Sequence, residues 1–241
     1  MSTETDIRPL GWGRFVLQFV SVVIVYLAAS VPAVLVFGES NTGYLLSVFM
    51  SMVAALLVAW AWLQRDGALA EAWNLKVPRE WPRASGVALG GTAAIFAIFV
   101  AGGAAVEALG FEPVDVELVM QFVTESPLSL ALWIVLVAWL AAGLGEELLW
   151  RGFLLDRLMR LPGISGRLWI AIVIQAGLFG LPHIYQGWGG VLVTGTIGLL
   201  LGWLRVVARW NLWPLVFAHA AVDTIMMGLG YASVQGWIEA S

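Results

Sequence analysis

Residues Leu128–Gly152 read LSLALWIVLVAWLAAGLGEELLWRG. The first two thirds of this stretch contain no charged residue, and their length approaches the roughly 20 apolar residues that cross a bilayer core of about 30 Å. Two adjacent carboxylates, Glu146 and Glu147, then follow, with Arg151 one helical turn later. Charges at the end of such a run need partners or a polar cavity. The stretch therefore predicts a membrane-spanning helix that carries a polar site.

The whole chain has the composition of an integral membrane protein. Of its 241 residues, 61% are hydrophobic and 12% are charged, whereas roughly 25% are charged in an average soluble domain. We predict an all-α, multi-pass transmembrane bundle that forms a single membrane domain over residues 1–241. It has about seven spans, at 15–37, 44–63, 87–109, 128–149, 168–184, 190–207 and 212–230. The chain has no cysteine, which excludes disulfides, thiolate metal sites and cysteine nucleophiles.

The connections between these spans alternate in charge. Connections 38–43 and 110–127 carry acidic residues and no Lys or Arg. The N-terminal segment and the connections on the other side of the membrane are basic, with Arg8, Arg14, Arg65, Lys76, Arg79, Arg83, Arg157, Arg160, Arg167, Arg205 and Arg209. By the positive-inside rule, we expect a cell-membrane protein with a cytoplasmic N-terminus and an external C-terminus. The polar N-terminal residues lack a small-residue cleavage site, so no removable signal peptide is expected.

Two local patterns have two explanations each. In connection 68–86 tryptophans alternate with basic residues, which suits the cytoplasmic headgroup layer, although a solvated linker fits equally well. Gly198 and Gly202 form a GxxxG pair, which permits close helix approach. We favour packing within the chain over dimerisation for this pair.

Ionisable side chains inside apolar spans are functional candidates, since each costs about 2.5 to 3.5 kcal/mol on insertion scales. The two histidines of the chain, His183 and His219, both fall within predicted spans, as do Glu146, Glu147, Arg151 and Asp223. Glu107 is a weaker candidate because it lies near the outer end of its span. Each group alone has a structural explanation, in which a buried ion pair and satisfied histidines tie helices together. Their combination on three helices favours a functional site.

Helical spacing assigns different roles to the adjacent carboxylates. Residues four apart share a helix face, whereas neighbours point about 100° apart. Glu147 and Arg151 therefore form an internal pair, and Glu146 points elsewhere as the carboxylate available for chemistry. His219 and Asp223 also stand four apart. Pro182, which lacks an N–H, is expected to disrupt the helix before His183 and to free a carbonyl for another partner.

The two halves of a predicted hairpin place the candidates at one depth. The LPGISG segment is centred near Ile164, and Glu146 and His183 lie almost equally far from it in sequence. The arginines beyond Glu146 indicate that this hairpin projects into the cytoplasm, so both residues should lie in the inner half of the bilayer. His219 lies roughly 12 Å beyond the next cytoplasmic turn. We therefore expect the three side chains to converge.

Three motifs in this order resemble the CPBP intramembrane peptidases, a family that includes type II CAAX prenyl endopeptidases and bacteriocin-processing or self-immunity proteins. The family pattern is EExxxR, FxxxH and HxxxN or HxxxD, and this chain has Glu146-Glu147-Leu-Leu-Trp-Arg151, Phe179-Gly-Leu-Pro-His183 and His219-Ala-Ala-Val-Asp223. The matching core runs from about residue 128 to 230. The chain lacks the HExxH and GxGD signatures of other intramembrane proteases.

The resemblance implies an intramembrane endopeptidase that cleaves a hydrophobic or lipidated polypeptide. The implied catalytic residues are Glu146, His183, His219 and Asp223, with Glu147, Arg151 and Phe179 in support. Glu146 and His183 would activate a water, and a carboxylate shielded from bulk water is a suitable general base. The implied partners are membrane lipids and a membrane-associated or prenylated peptide, with no nucleic acid. The oligomeric state stays open.

The role of Asp223 and the cofactor are open at this stage. Many family members have Asn at this position, which can donate to an oxyanion, whereas an ionised Asp only accepts. Asp223 could orient His219 and keep it protonated, or it could join Glu146, His183 and His219 as a zinc ligand. We favour metal-free catalysis, because Glu146 is needed as the base and Glu147 is paired with Arg151.

Two other classes of function compete with the protease. A non-catalytic membrane scaffold or bacteriocin self-immunity protein could use the same fold to bind a partner peptide. A transporter of protons or small solutes would also bury Glu and His, but the sequence has no inverted repeat in its favour.

Overall fold

The computed structural model describes residues 9–238, and this part of the chain is all helical, as predicted. Arg8 and the rest of the N-terminal segment lie outside the described residues. The helices are α1 (Trp12–Phe37), α2 (Asn41–Arg65), α3 (Leu69–Ala72), α4 (Trp81–Ala108), α5 (Glu117–Val123), α6 (Pro127–Leu132), a π-helix (Trp133–Leu154), α7 (Leu155–Met159), α8 (Leu168–Gly180), a 3₁₀ segment (Leu181–Gln186), α9 (Gly187–Val207) and α10 (Trp213–Val234).

Six helical runs in the described chain are long and apolar enough to cross a bilayer, so the protein is a multi-pass membrane protein. They are Trp12–Phe37, Asn41–Arg65, Trp81–Ala108, Pro127–Met159, Leu168–Val207 and Trp213–Val234. The count agrees approximately with the seven predicted spans, because Leu168–Val207 contains two of them. We call the run Pro127–Met159 the central helix.

Glycines show that α8 and α9 form an antiparallel hairpin. A Cβ on Gly198 would lie 3.0 Å from the Cα of Ala176, and a Cβ on Gly202 would lie 2.8 Å from the Cγ2 of Ile172. Gly202, which follows Gly198 in α9, therefore contacts Ile172, which precedes Ala176 in α8, so the two helices run in opposite directions. The two helices approach closely because these positions have no side chain, and the GxxxG pair packs within the chain.

The central helix continues well past the predicted end of its span near Leu149. It extends to Met159, because Glu147 and Arg151 neutralise each other inside the protein and so do not end the helix at the membrane surface. Its middle part is wound with i→i+5 hydrogen bonds, a geometry that often marks functional sites. Similarly, α4 begins at Trp81, six residues before the predicted start of its span.

The basic connections gather at one end of the bundle. There Arg157 binds Asp66 and Asp156, Arg160 binds Glu71, and the backbone N–H of Leu10 donates to the carbonyl of Arg160. At the opposite end Asn41 binds Glu125, and the N–H of Asp115 donates to the carbonyl of Gln186. Basic and acidic connections, which alternate along the sequence, therefore lie at opposite ends of the bundle.

The tryptophan-containing connection 68–86 packs against the basic end of the central helix. The Trp73 indole N–H donates to the carbonyl of Leu148 at 2.8 Å. Gly152 makes room for this ring, since a Cβ there would lie 2.6 Å from Trp73 Cδ1. The buried Arg205 of α9 donates to the carbonyl of Ala72 at 2.9 Å. These contacts join α3 to both α9 and the central helix.

Candidate active site

Glu147 and Arg151 form a fully buried ion pair on the central helix. Arg151 Nη1 lies 2.9 Å from Glu147 Oε1, and neither side chain has any exposed surface. The guanidinium carbon of Arg151 also lies 4.1 Å from the centre of the Phe179 ring, over its face. This cation–π contact links the central helix to α8. The first and second motifs therefore meet inside the protein.

Glu147 also holds His219, which is a contact that the sequence did not predict. The same Oε1 atom accepts a hydrogen bond from His219 Nδ1 at 2.9 Å. Because Glu147 is ionised by Arg151, it can only accept, so Nδ1 carries a proton and the Nε2 edge is directed away. Asp223, for which orienting His219 was one of two expected roles, has its Oδ2 atom 3.8 Å from Nε2. One carboxylate can accept from two donors, and only the folded chain shows that it does.

Glu146 faces the free edge of the same imidazole. Its Oε2 atom lies 3.9 Å from His219 Nε2, on the opposite side of the residue from the Glu147 contact. Both separations, to Glu146 and to Asp223, exceed hydrogen-bond length and are of the size that a bridging water spans. His219 Nε2 therefore lies between two carboxylates that do not bind it directly.

His183 reaches the site through the helix break at Pro182. In the 3₁₀ segment the carbonyl of Phe179 would receive the N–H of the residue three positions on, and proline has none. This carbonyl instead accepts from His183 Nδ1 at 3.1 Å. Since a carbonyl only accepts, Nδ1 carries a proton and Nε2 has a free lone pair when the ring is neutral. The break predicted from Pro182 thus orients the imidazole.

The Phe179 ring lies between the two histidines. Its centre is 5.4 Å from that of His183 and 6.3 Å from that of His219, with both pairs edge-to-face. Glu146 and Asp223 lie 3.9 and 3.8 Å from His219 Nε2, and His183 lies on the other side of the Phe179 ring. The structure thus brings all four predicted catalytic side chains to one place.

Exposure divides the cluster into a buried support and an accessible face. Glu147 has no exposed side-chain surface, whereas the side chains of Glu146 and Asp223 are 22% and 30% exposed. Both lie within apolar spans, where exposure means access to a cavity or to the bilayer. Glu146 lies nearer the Met159 end of the central helix than the Pro127 end, and therefore nearer the basic end. Glu107, the weaker candidate, is exposed near the end of α4.

The donor set does not form a metal site in this arrangement. Within residues 9–238, no three His, Asp or Glu side chains are close enough together to hold a metal ion. Each histidine does have Nδ1 engaged and Nε2 free, as a metal ligand would. The two Nε2 atoms nevertheless do not converge with a carboxylate on a common point.

Two tyrosines near the site were not predicted from the sequence. The Tyr185 ring stacks on His183, with centres 6.1 Å apart and planes inclined by 27°. Tyr26 of α1 lies within electrostatic range of both Glu146 and Tyr185. Tyr185 follows His183 by two residues, which was a local signal, but Tyr26 comes from a helix without any diagnostic pattern.

Residues 127–225 match the family model described as type II CAAX prenyl endopeptidase Rce1-like. This segment belongs to the Rce1-like family. The match confirms the resemblance to CPBP peptidases that the three motifs indicated, and the Rce1-like core contains every residue of those motifs. Comparison with curated proteins and with solved structures gave no match. The protein is therefore a CAAX-protease-like membrane protein, whose Rce1-like core starts at the central helix.

Proposed function

We propose that this protein is an intramembrane endopeptidase that hydrolyses a peptide bond of a lipidated or otherwise membrane-associated polypeptide. One observation carries the proposal. A partly exposed carboxylate, Glu146, faces an imidazole nitrogen of His219 inside the apolar span of an Rce1-like core. An ionisable group inside a membrane span is costly, so it is a functional candidate by default.

The reaction starts with a water held between Glu146 and the Nε2 lone pair of His183. Glu146 takes a proton as the water oxygen attacks the carbonyl carbon of the substrate, and the carbonyl π electrons move onto its oxygen. Collapse of this tetrahedral intermediate re-forms the C=O bond and breaks the C–N bond. Glu146 returns the proton to the leaving nitrogen, so that one water is consumed for each bond cleaved.

His219 supplies positive charge next to this chemistry. Its Nδ1–H is fixed by Glu147, and a second proton on Nε2 would lie between Glu146 and Asp223. The Glu147–Arg151 pair holds the His219 imidazole in place through the hydrogen bond from Nδ1 to Glu147. His219 is thus a fixed cation that can attract the developing oxyanion, as preorganised charges do in other acyl-transfer sites.

The position of the site suggests the class of substrate. Glu146 lies nearer the basic end of the central helix, and the positive-inside rule assigns that end to the cytoplasm of the cell membrane. A polypeptide whose apolar or prenyl group lies in the bilayer would therefore present its cleavage site from the cytoplasmic side. This orientation also puts the N-terminus in the cytoplasm and the C-terminus outside.

The proposal is tested with purified protein in liposomes and an internally quenched farnesylated peptide that ends in a CAAX sequence. The same peptide without the farnesyl group measures the contribution of the lipid. We expect Glu146→Gln and His183→Ala to lower the cleavage rate by at least about 100-fold, the size typical of lost acid–base catalysis. Glu107→Gln is the matched control, since it changes a carboxylate on α4 outside the site and should cleave normally.

Folding of each variant is checked by its melting temperature in detergent. If the wild-type protein leaves both peptides intact, or if Glu146→Gln cleaves at the wild-type rate, the proposed function is wrong. Full biological activity of Glu146→Gln in cells would support a non-catalytic scaffold or immunity role instead.

A further inference from the structure

The candidate site has few groups that can donate a hydrogen bond to an oxyanion. The proton on His183 Nδ1 is used by the carbonyl of Phe179, and that on His219 Nδ1 is used by Glu147. Glu146 and Asp223 accept when ionised. His219 Nε2 is then the one donor among the four motif side chains, and it faces two carboxylates that compete for its proton. Oxyanion sites usually combine two or more donors.

Tyr185 places a partly exposed phenol next to His183. Its ring stacks on His183, and the side chain is within electrostatic range of Glu146 and Asp223. The residue is 51% exposed, so a substrate can reach its hydroxyl. A phenol can donate a hydrogen bond, which the two carboxylates cannot do.

The contacts of Tyr185 leave its proton available. Its hydroxyl oxygen accepts from Gln186 Nε2 at 3.3 Å, so the O–H bond is free to point elsewhere. The segment is anchored from its other side, since the carbonyl of Gln186 accepts the N–H of Asp115 at 3.1 Å. Tyr26 is the competing phenol, but it lies on α1, which packs mainly along α2. Tyr185 is instead on the same short segment as His183, and the two move together.

We propose that the Tyr185 hydroxyl donates a hydrogen bond to the substrate carbonyl oxygen as negative charge develops on it. This inference rests on the proposed peptidase function and adds a catalytic residue to it. The phenol keeps its proton throughout, so it does not change the balance of the hydrolysis. It supplies the donor that an Asn would supply in place of Asp223.

The test is Tyr185→Phe, which removes the hydroxyl and keeps the ring on His183. We expect kcat for the farnesylated peptide to fall by roughly 100- to 1000-fold, as when one oxyanion donor is removed. KM should change by less than about threefold, because the ground-state carbonyl needs this donor less. Tyr231→Phe on α10 is the control for loss of a hydroxyl and should cleave like the wild type.

A second measurement separates transition-state binding from a change in folding. A peptidyl trifluoromethyl ketone, whose hydrate mimics the tetrahedral intermediate, should bind Tyr185→Phe at least about 30-fold more weakly than wild type. The corresponding uncleaved peptide should bind both proteins equally. An unchanged inhibitor affinity would overturn the inference.

The outcomes also distinguish this inference from the proposed function. Cleavage that needs Glu146 but proceeds normally in Tyr185→Phe would refute the role of Tyr185 and leave the peptidase standing. A loss of kcat in Tyr26→Phe, with Tyr185→Phe unaffected, would assign the donor to α1 instead. Absence of cleavage by the wild type would overturn both.

Discussion

Replacing Glu147 by glutamine should damage stability and activity together, whereas the same change at Glu146 should damage activity alone. Glu147 is fully buried and its Oε1 atom accepts from both Arg151 and His219. Glutamine keeps the shape but removes the negative charge. Arg151 would then be a buried cation without a directly bonded counterion, because its Nε and Nη2 atoms have no hydrogen-bond partner among the described residues.

The size of the effect follows from this geometry. Removing one partner of a buried ion pair typically costs 3–5 kcal/mol, because the other charge stays buried. The cation–π contact with Phe179 at 4.1 Å remains and offsets only about 1–2 kcal/mol of that cost. We therefore expect Glu147→Gln to lose about 2–4 kcal/mol of unfolding free energy. Within residues 9–238 Glu146 has no hydrogen-bond partner of this kind, so Glu146→Gln should stay within about 0.5 kcal/mol of wild type.

The assay is equilibrium unfolding in mixed micelles, followed by tryptophan fluorescence, with cleavage of the farnesylated peptide measured in parallel. The double variant Glu147→Gln/Arg151→Met should regain most of the lost stability, since no buried charge is left unpaired. Its activity should stay low because a neutral residue at 147 no longer favours the charged form of His219. Wild-type stability of Glu147→Gln, or equal destabilisation by Glu146→Gln, would refute this reasoning.

Two further predictions concern packing and the Asp223 carboxylate. Gly152→Ala should cost about 1–3 kcal/mol of stability, because the new Cβ would lie 2.6 Å from Trp73 Cδ1 and force that ring to move. Gly103→Ala should be neutral or slightly stabilising in the same unfolding assay, because beyond its chain neighbours and the nearby backbone of its own helix no atom of the described residues lies within 4 Å of the new methyl group; equal effects would contradict the packing argument. Asp223→Asn should retain kcat within about tenfold, because the carboxylate does not hydrogen-bond His219 Nε2 and an amide can donate to the oxyanion. A loss as large as that of Glu146→Gln would instead make the negative charge of Asp223 essential.

Much of the fold could be predicted from apolar run length and charge. Helices and closed β-barrels both satisfy their backbone groups in lipid, and continuous apolar runs of about 20 residues fit helices, so the all-α, multi-pass architecture follows without tertiary information. The ends of the helices were less predictable. The central helix continues past Leu149 because Glu147 neutralises Arg151, and hydropathy alone counts both as charges that end a span.

The candidate site was also predicted in part. The rule that residues four apart share a helix face separates Glu146 from Glu147. In the structure Glu147 binds Arg151, whereas Glu146 faces His219 Nε2. Spacing could not show that Glu147, rather than Asp223, would reach Nδ1 of His219. That contact joins the central helix to α10 and depends on how closely the two helices pack, which includes the small residues at Gly143 and Ala220.

The sequence by itself determined that this is a membrane protein of the all-α class, and it supplied the three motifs and the identities of the four candidate catalytic residues. Each of these follows from local composition and spacing. Tertiary structure alone decided which nitrogen of each histidine is free, which carboxylate orients His219, and that Tyr26 and Tyr185 come within electrostatic range of Glu146. Those features depend on distances between helices that are far apart in the chain, and such distances are set by packing of the whole bundle.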